Sequence, residues 1–170
     1  MKAERILQAG IFAMLAAFVG VLYLSLHDNV VKAGDTAPEF SVKTENGRTV
    51  TVRDFGGKLL LLNFWATWCQ PCVQEIPSLD ALQKELGPKG LVVLGVSVDK
   101  DQKAYTDFIH RFRISFLTAR DPDQVVNGKY GTLQYPESYL IDQSGKVVEK
   151  IVGQENWSAE RMIQHVQSLL

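Results

Sequence analysis

The two cysteines of the chain, Cys69 and Cys72, are separated only by Gln70 and Pro71, and they follow an apolar run over 59–65. Apolar residues recur at helical spacing after them, at Val73, Ile76, Leu79, Leu82 and Leu86. Two thiols at this spacing at the start of a helix can open and close a disulfide by a small local rearrangement. That is the chemistry of dithiol–disulfide exchange.

Two other uses of a cysteine pair fit the sequence less well. A structural disulfide stabilises most when it closes a long loop, and a bridge across two residues constrains almost nothing. A zinc site would need two further ligands, but His27, His110 and His165 are scattered through the chain. We therefore predict a redox-active disulfide, with no metal and no other cofactor.

The position of the pair at a helix start predicts a different role for each thiol. Cys69 precedes the first turn, where unsatisfied backbone N–H groups and the helix dipole lower a thiol pKa from about 8.5. We expect Cys69 to attack, and Cys72, one turn inside and more buried, to resolve the mixed disulfide. Pro71 suits the first turn but lacks an N–H that could stabilise the thiolate. Because a stable thiolate makes a protein an oxidant, this favours a more reducing couple.

The N-terminal segment differs in kind from the rest of the chain. Residues 6–26 are almost wholly apolar, and their length matches the stretch of about 20 residues that a helix needs to cross a bilayer. Lys2 and Arg5 precede this run and favour a cytoplasmic N-terminus. A cleaved signal peptide is the alternative, but its apolar region would be shorter, about 7–15 residues. The sequence therefore predicts an uncleaved membrane anchor over 1–29 and an extracytoplasmic redox domain over 30–170.

The predicted elements behind this segment follow the order of an α/β domain. An Asn-Gly turn at 45–47 joins two short strands, as in a β-hairpin. Strands over 59–65 and 91–98 flank the helix after the cysteines and read as buried, as in parallel sheets. A second hairpin over 138–152 adds antiparallel strands, and a last helix starts near Ser158. The formal net charge of -1 gives no electrostatic reason to expect nucleic-acid binding.

Four stretches of the sequence carry a family resemblance. They are GDTAPEF at 34–40, FWATWCQPC at 64–72, EIP at 75–77 and YPESYLID at 135–142. With them the sequence resembles the thioredoxin superfamily and, more narrowly, the membrane-anchored TlpA/ResA/DsbE-like thiol–disulfide oxidoreductases. The resemblance covers residues 33–170. It implies a thioredoxin-like α/β fold, in which helices flank a central mixed sheet, with an N-terminal β-hairpin extension and an N-terminal transmembrane helix.

The resemblance also implies where a substrate binds. Pro136 matches the late proline of the family, whose peptide bond is cis and which faces the cysteine pair. In the family this loop pairs its backbone with an extended segment of the substrate. Tyr135 departs from the pattern, since many members carry a small residue before the proline. The predicted substrate-binding residues are Trp68, Gln70, Pro71, Tyr135 and Pro136.

Two polar residues near the motif bear on proton transfer. By resemblance Glu75, one turn beyond Cys72, lies close to the active site, where it would hold back thiolate formation or handle protons. The alternative is an ordinary exposed glutamate of the helix. Asn63 stands where cytosolic thioredoxins have a buried aspartate. Because an amide cannot take a proton, Glu75 is the candidate for that role. Asp99 and Asp142 are interpreted as capping or turn residues.

The resemblance predicts a membrane-tethered reductase that acts outside the cytoplasm. Its implied substrate is apocytochrome c, and its implied electron donor is a membrane protein of the CcdA or DsbD type. The alternatives are a general oxidoreductase for other exported proteins, an oxidase like DsbA, a docking adaptor, or a peroxide reductase of the peroxiredoxin type. The last requires a threonine three residues before the cysteine, where this chain has Ala66.

Overall fold

The computed structural model describes residues 2–26 and 30–170. Helix α1 spans Lys2–Leu26 and contains the apolar run of the sequence. Among the described residues, no helix has the length and apolar character that crossing a membrane requires. The transmembrane helix predicted over 6–26 is therefore not confirmed. The predicted domain boundary after residue 29 adjoins 27–29, which lie outside the described residues.

An antiparallel hairpin precedes the main sheet and confirms the predicted β-hairpin extension. It consists of strands β1 (Ser41–Lys43) and β2 (Thr49–Thr51), with Val42 opposite Val50. Gly47 in the connecting turn has a φ of 82°, which explains the glycine of the Asn-Gly pair. Val42 and Val50 are buried while their neighbours face outward, so one face of the hairpin packs on the domain.

A five-stranded mixed sheet forms the centre of the domain. Its strands are β3 (Leu59–Trp65), β4 (Leu91–Ser97), β5 (Leu117–Arg120), β6 (Glu137–Ile141) and β7 (Val147–Val152). Their order is β5-β4-β3-β6-β7; β3, β4 and β5 are parallel, and β6 is antiparallel to both of its neighbours. The covering helices are α2 (Gln70–Leu86), α3 (Gln102–Phe112), α4 (Val125–Tyr130) and α5 (Glu160–Gln167). This is the thioredoxin-like arrangement that the sequence predicts.

Strand β3 is central and buried along its whole length. Leu62 and Phe64 pack in one core, and Leu61 and Trp65 pack in the other core, beneath α2. A continuous apolar run is expected of a strand that is covered on both faces. Asn63 is the polar exception. Because side chains alternate along a strand, it points to the same side as Leu61 and Trp65, toward the helix that carries the cysteines.

Residues 34–45, called the N-terminal extension below, are hydrogen-bonded to both edge strands of the sheet, β5 and β7. At β7, the N–H of Gly34 donates to the carbonyl of Val147 at 2.8 Å, and the N–H of Val147 donates to the carbonyl of Asp35 at 2.9 Å. At β5, the N–H of Glu45 donates to the carbonyl of Thr118 at 2.9 Å. This one short segment before the redox motif therefore contacts both edges of the sheet.

Several predicted boundaries differ from the observed ones. The sequence predicts a short strand over 116–119, before the turn at 121–122. The observed strand, β5, begins and ends one residue later. The last helix begins at Glu160, two residues after the predicted start near Ser158. A proline within a helical pattern predicts a kink or a break. Pro77 lies inside α2, and the helix continues past it to Leu86.

Helix α4 was not predicted from the sequence. It has only six residues, one of them Gly128, so its apolar pattern is too short to recognise. The carboxylate of Asp121 accepts the backbone N–H groups of Val125, Val126 and Asn127 at 2.9, 2.8 and 2.9 Å. This contact fixes the first turn of α4 from outside the helix.

Candidate active site

The cysteine pair lies where the polypeptide leaves β3 and enters α2. Cys69 is the N-cap residue of α2, Cys72 lies in its first turn, and their sulfurs form a disulfide. Cys69 Sγ accepts the backbone N–H of Cys72 at 3.3 Å. Cys69 is 6% exposed and Cys72 is 1% exposed, so Cys72 is the more buried thiol, as expected. Which thiol attacks and which resolves stays a prediction. Gln70 and Pro71 are exposed between them.

A buried carboxylate fixes the loop between β3 and the cysteines. Asp99 accepts the backbone N–H of Thr67 at Oδ2 (2.9 Å) and the hydroxyl of Thr67 at Oδ1 (2.7 Å). The hydroxyl of Ser97 also donates to Oδ2, at 2.6 Å. Asp99 thus has a structural role, as predicted, although the N-cap of α3 is Asp101.

The Tyr135–Pro136 peptide bond is cis, as the resemblance predicts for Pro136. The ring of Tyr135 meets the ring of Trp68 edge to face, with centroids 5.9 Å apart. Trp68 directly precedes Cys69 and is 67% exposed, so the two aromatic rings lie beside the disulfide at the surface. The structure therefore brings Tyr135 of the loop together with Trp68 of the motif. Substrate binding by these residues and by Gln70, Pro71 and Pro136 stays a prediction.

Glu75 is buried, with 1% of its surface exposed, which excludes an ordinary exposed glutamate. Its Oε1 accepts the indole N–H of Trp157, and its Oε2 has no hydrogen-bond partner within the described residues. Burial raises the pKa of Glu75 from 4.5 to about 7, opposed by the indole of Trp157 and by the nearby Glu155 backbone and Asn63 amide. The carboxyl group therefore changes its protonation state near neutral pH.

Asn63 lies on β3 and is 1% exposed. The amide of Asn63 is close enough to Glu75 to lower the pKa of that carboxyl group. Asn63 Nδ2 donates a hydrogen bond to the hydroxyl of Ser138, at 2.9 Å. Ser138 lies directly opposite on β6. Because the amide does not ionise, Asn63 acts as a fixed polar group, and the titratable group beside it is Glu75.

Trp157 is the residue of the site that the sequence did not indicate. It is fully buried and lies 82 positions after Glu75, in the segment between β7 and α5. Its backbone N–H donates to the hydroxyl of Ser78 at 3.2 Å, and that hydroxyl donates to the carbonyl of Glu75 at 2.7 Å. A tryptophan within an otherwise polar segment was the only hint in the sequence that this residue is buried. A buried indole N–H usually needs an acceptor, which here is Glu75.

The assembled groups provide redox and proton chemistry from the protein itself. Cys69 and Cys72 form the dithiol–disulfide couple, and Glu75 titrates near neutral pH. Across residues 2–26 and 30–170, no three side chains of His, Cys, Asp or Glu are grouped so as to hold a metal ion.

Sequence comparison gives the relatives of this chain. Residues 33–150 match the AhpC/TSA family. The thiol-disulfide oxidoreductase ResA of Bacillus thuringiensis (strain Al Hakam) is 35% identical over 159 residues, which cover 91% of this chain and 92% of the relative. The thioredoxin-like protein YneN of Bacillus subtilis (strain 168) is 38% identical over 126 residues, covering 72% of this chain and 73% of the relative.

Structural comparison leads to the same group. The crystal structure assigned as thiol:disulfide interchange protein DsbE of Chlorobium tepidum has a TM-score of 0.75 and 31% sequence identity, and the match covers 82% of this chain and 98% of that chain. Cys69 and Cys72 supply the thiol pair that an enzyme of this kind requires. The chain thus belongs to the AhpC/TSA family and, within the thioredoxin superfamily, to the ResA/DsbE-like thiol–disulfide oxidoreductases.

Proposed function

We propose that the protein is an extracytoplasmic reductase of disulfides in exported proteins, with apocytochrome c as its main substrate. The surroundings of Cys69 support the direction of electron flow. In the described part of the chain, one backbone N–H donates to the Cys69 sulfur, that of Cys72, and Pro71 has no N–H to add. A thiolate with few donors is less stabilised, and the couple is correspondingly more reducing.

The reaction passes two electrons to the substrate. The Cys69 thiolate attacks one sulfur of the substrate disulfide, and the other substrate sulfur leaves as a thiolate that takes up a proton. Cys72 then loses its proton and attacks Cys69 Sγ in the mixed disulfide. The second substrate thiol is released, and the enzyme keeps the Cys69–Cys72 disulfide. Glu75, one turn beyond Cys72, accepts the Cys72 proton when its carboxyl group is ionised.

Apocytochrome c fits this chemistry because its Cys-x-x-Cys-His motif must be reduced before haem is attached. We propose that a membrane dithiol protein of the CcdA or DsbD type then reduces the Cys69–Cys72 disulfide again. The apolar segment over 6–26 supports export of the redox domain. A fusion of alkaline phosphatase after Leu170 should be active in intact cells. An intact but inactive fusion would contradict the proposed location.

Substrates can be trapped with a Cys72→Ser variant, which stops the reaction at the mixed disulfide. Expressed in cells, this variant should form adducts with apocytochrome c that dissociate on reduction. A variant that lacks both Cys69 and Cys72 is the control and should trap nothing. Adducts with other exported proteins alone would favour the general oxidoreductase, and the absence of any adduct would contradict the proposal.

The direction of electron flow is tested by a redox titration of the Cys69–Cys72 couple. We expect a potential more negative than about −200 mV, on the reducing side of the disulfide isomerases. A value near about −120 mV, typical of a strong oxidant, would overturn the reductase assignment.

A further inference from the structure

A buried polar cluster begins at the residue after Pro136, on the face of the sheet opposite to Glu75. Its centre is Glu137, the first residue of β6, which is 3% exposed. Glu137 Oε1 accepts the hydroxyl of Thr132 at 3.0 Å and the ammonium group of Lys150 at 2.9 Å. It also accepts the hydroxyl of Tyr139. Donors from the 131–136 loop, β6 and β7 therefore meet at one carboxylate oxygen.

The Glu137–Lys150 pair is a poor device for stability alone. The side chain of Lys150 is 16% exposed and that of Glu137 is 3% exposed, so both charges lose most of their hydration. Replacing such a pair by apolar residues is often neutral or stabilising, and its best-supported use is to fix one arrangement among several. Here Glu137 accepts the hydroxyl of Thr132, so the arrangement that the pair fixes is that of the 131–136 loop.

The same loop is also held from helix α4. The backbone N–H of Thr132 donates to the carbonyl of Asn127, and Asn127 Nδ2 donates to the carbonyl of Thr132, both at 3.3 Å. The hydroxyl of Tyr135 donates to Asn127 Oδ1 at 3.1 Å. Asn127 and Thr132 are each 4% exposed. A series of hydrogen bonds through Thr132 and Asn127 therefore connects Glu137 with Tyr135, whose ring contacts Trp68.

We propose that Glu137 is a positioning residue for thiol–disulfide exchange, acting through Thr132 and Asn127 to fix the Tyr135–Pro136 loop beside Cys69. This role rests on the exchange activity alone and not on the proposed substrate or direction. Because Tyr135 meets Trp68, the residue directly before Cys69, we expect a protein or peptide disulfide to contact the loop as it reaches the Cys69 sulfur. A small disulfide reaches that sulfur without using the loop. Loss of the cluster should therefore slow only the reaction with the larger substrate.

The test compares two substrates with the reduced full-length protein. One is a synthetic peptide of twelve residues closed by a Cys-x-x-Cys disulfide, and the other is hydroxyethyl disulfide. Glu137→Gln keeps the size of the side chain and removes its charge. Thr132→Val removes only the hydroxyl and serves as the second variant if Glu137→Gln does not fold. Thr44→Val is the matched control, because Thr44 is also 4% exposed but its hydroxyl bonds Asn46 in the hairpin turn.

In Glu137→Gln and Thr132→Val, we expect the single-turnover rate constant with the peptide to fall by roughly tenfold. The rate with hydroxyethyl disulfide and the redox potential should stay as in the wild type. Thr44→Val should leave both rates unchanged. The proposal is overturned if the peptide rate of a folded variant stays near the wild-type value. It is also overturned if both substrates slow equally, because that result would indicate a general structural defect.

Discussion

The buried carboxyl group of Glu75 should make the stability of the oxidised protein depend on pH. Burial raises the pKa of this group from 4.5 to about 7 in the folded protein. Between these values the folded state binds more protons than the unfolded state. The free energy of unfolding contributed by Glu75 therefore falls as the pH rises from about 4.5 to about 7, and it levels off above that.

A Glu75→Gln variant removes this dependence, since glutamine keeps the size of the side chain and an acceptor for the indole N–H of Trp157. The pKa difference corresponds to about 3 kcal/mol once the pH is well above 7. The stability of the variant relative to the wild type should therefore increase by up to about 3 kcal/mol between pH 4.5 and pH 8. Relaxation of the protein around the ionised group makes this an upper limit.

Guanidinium unfolding of the oxidised protein, followed by circular dichroism at several pH values, measures this difference. Glu85→Gln is the matched control, because Glu85 lies on the same helix but is exposed. The control should follow the wild type at every pH. A difference between Glu75→Gln and the wild type that is constant with pH, or that grows toward low pH, would refute the reasoning.

Three further variants, at two positions, test the contacts around the site. Trp157→Phe removes an N–H that stabilises the ionised form of Glu75 and should raise the pKa of that group further. The free energy of unfolding should then continue to fall to higher pH than in the wild type, in the same denaturation series. An unchanged pH range would contradict this role of the indole. Asp99→Ala leaves the N–H and hydroxyl of Thr67 without their acceptor and should lower the free energy of unfolding by about 2–4 kcal/mol. Asp99→Asn keeps an acceptor and should lose less, and equal losses in chemical denaturation would contradict the explanation.

Features with a local pattern were predictable from the sequence. The Cys-x-x-Cys pair before an apolar helical repeat predicted the start of α2, and the apolar run over 59–65 predicted β3. The Asn-Gly turn predicted the β1–β2 hairpin. The cis bond before Pro136 came from family resemblance, since no local pattern distinguishes a cis from a trans proline. Helix α4 escaped prediction because a carboxylate outside the helix organises its first turn.

The surroundings of Glu75 were only partly predictable. Its position three residues after Cys72 and four before Leu79 puts it on the buried face of α2, and this periodicity was available in the sequence. The hydrogen bond with Trp157 was not, because it joins distant segments that meet only in the folded chain. Glu137 was equally hidden, since nothing next to it in sequence indicates that Lys150 will be its partner.

The N-terminal extension also bears on how the protein behaves in a crowded compartment. Unpaired strand edges can pair with edges of other molecules and lead to aggregation. Here the carbonyl of Thr118 on β5 and both backbone groups of Val147 on β7 are already occupied by the extension. Residues 34–45 therefore cover part of both sheet edges and should disfavour pairing of these edges with strands of other molecules. They leave the cysteine pair, at the opposite end of β3 from Leu59, free to meet its substrates.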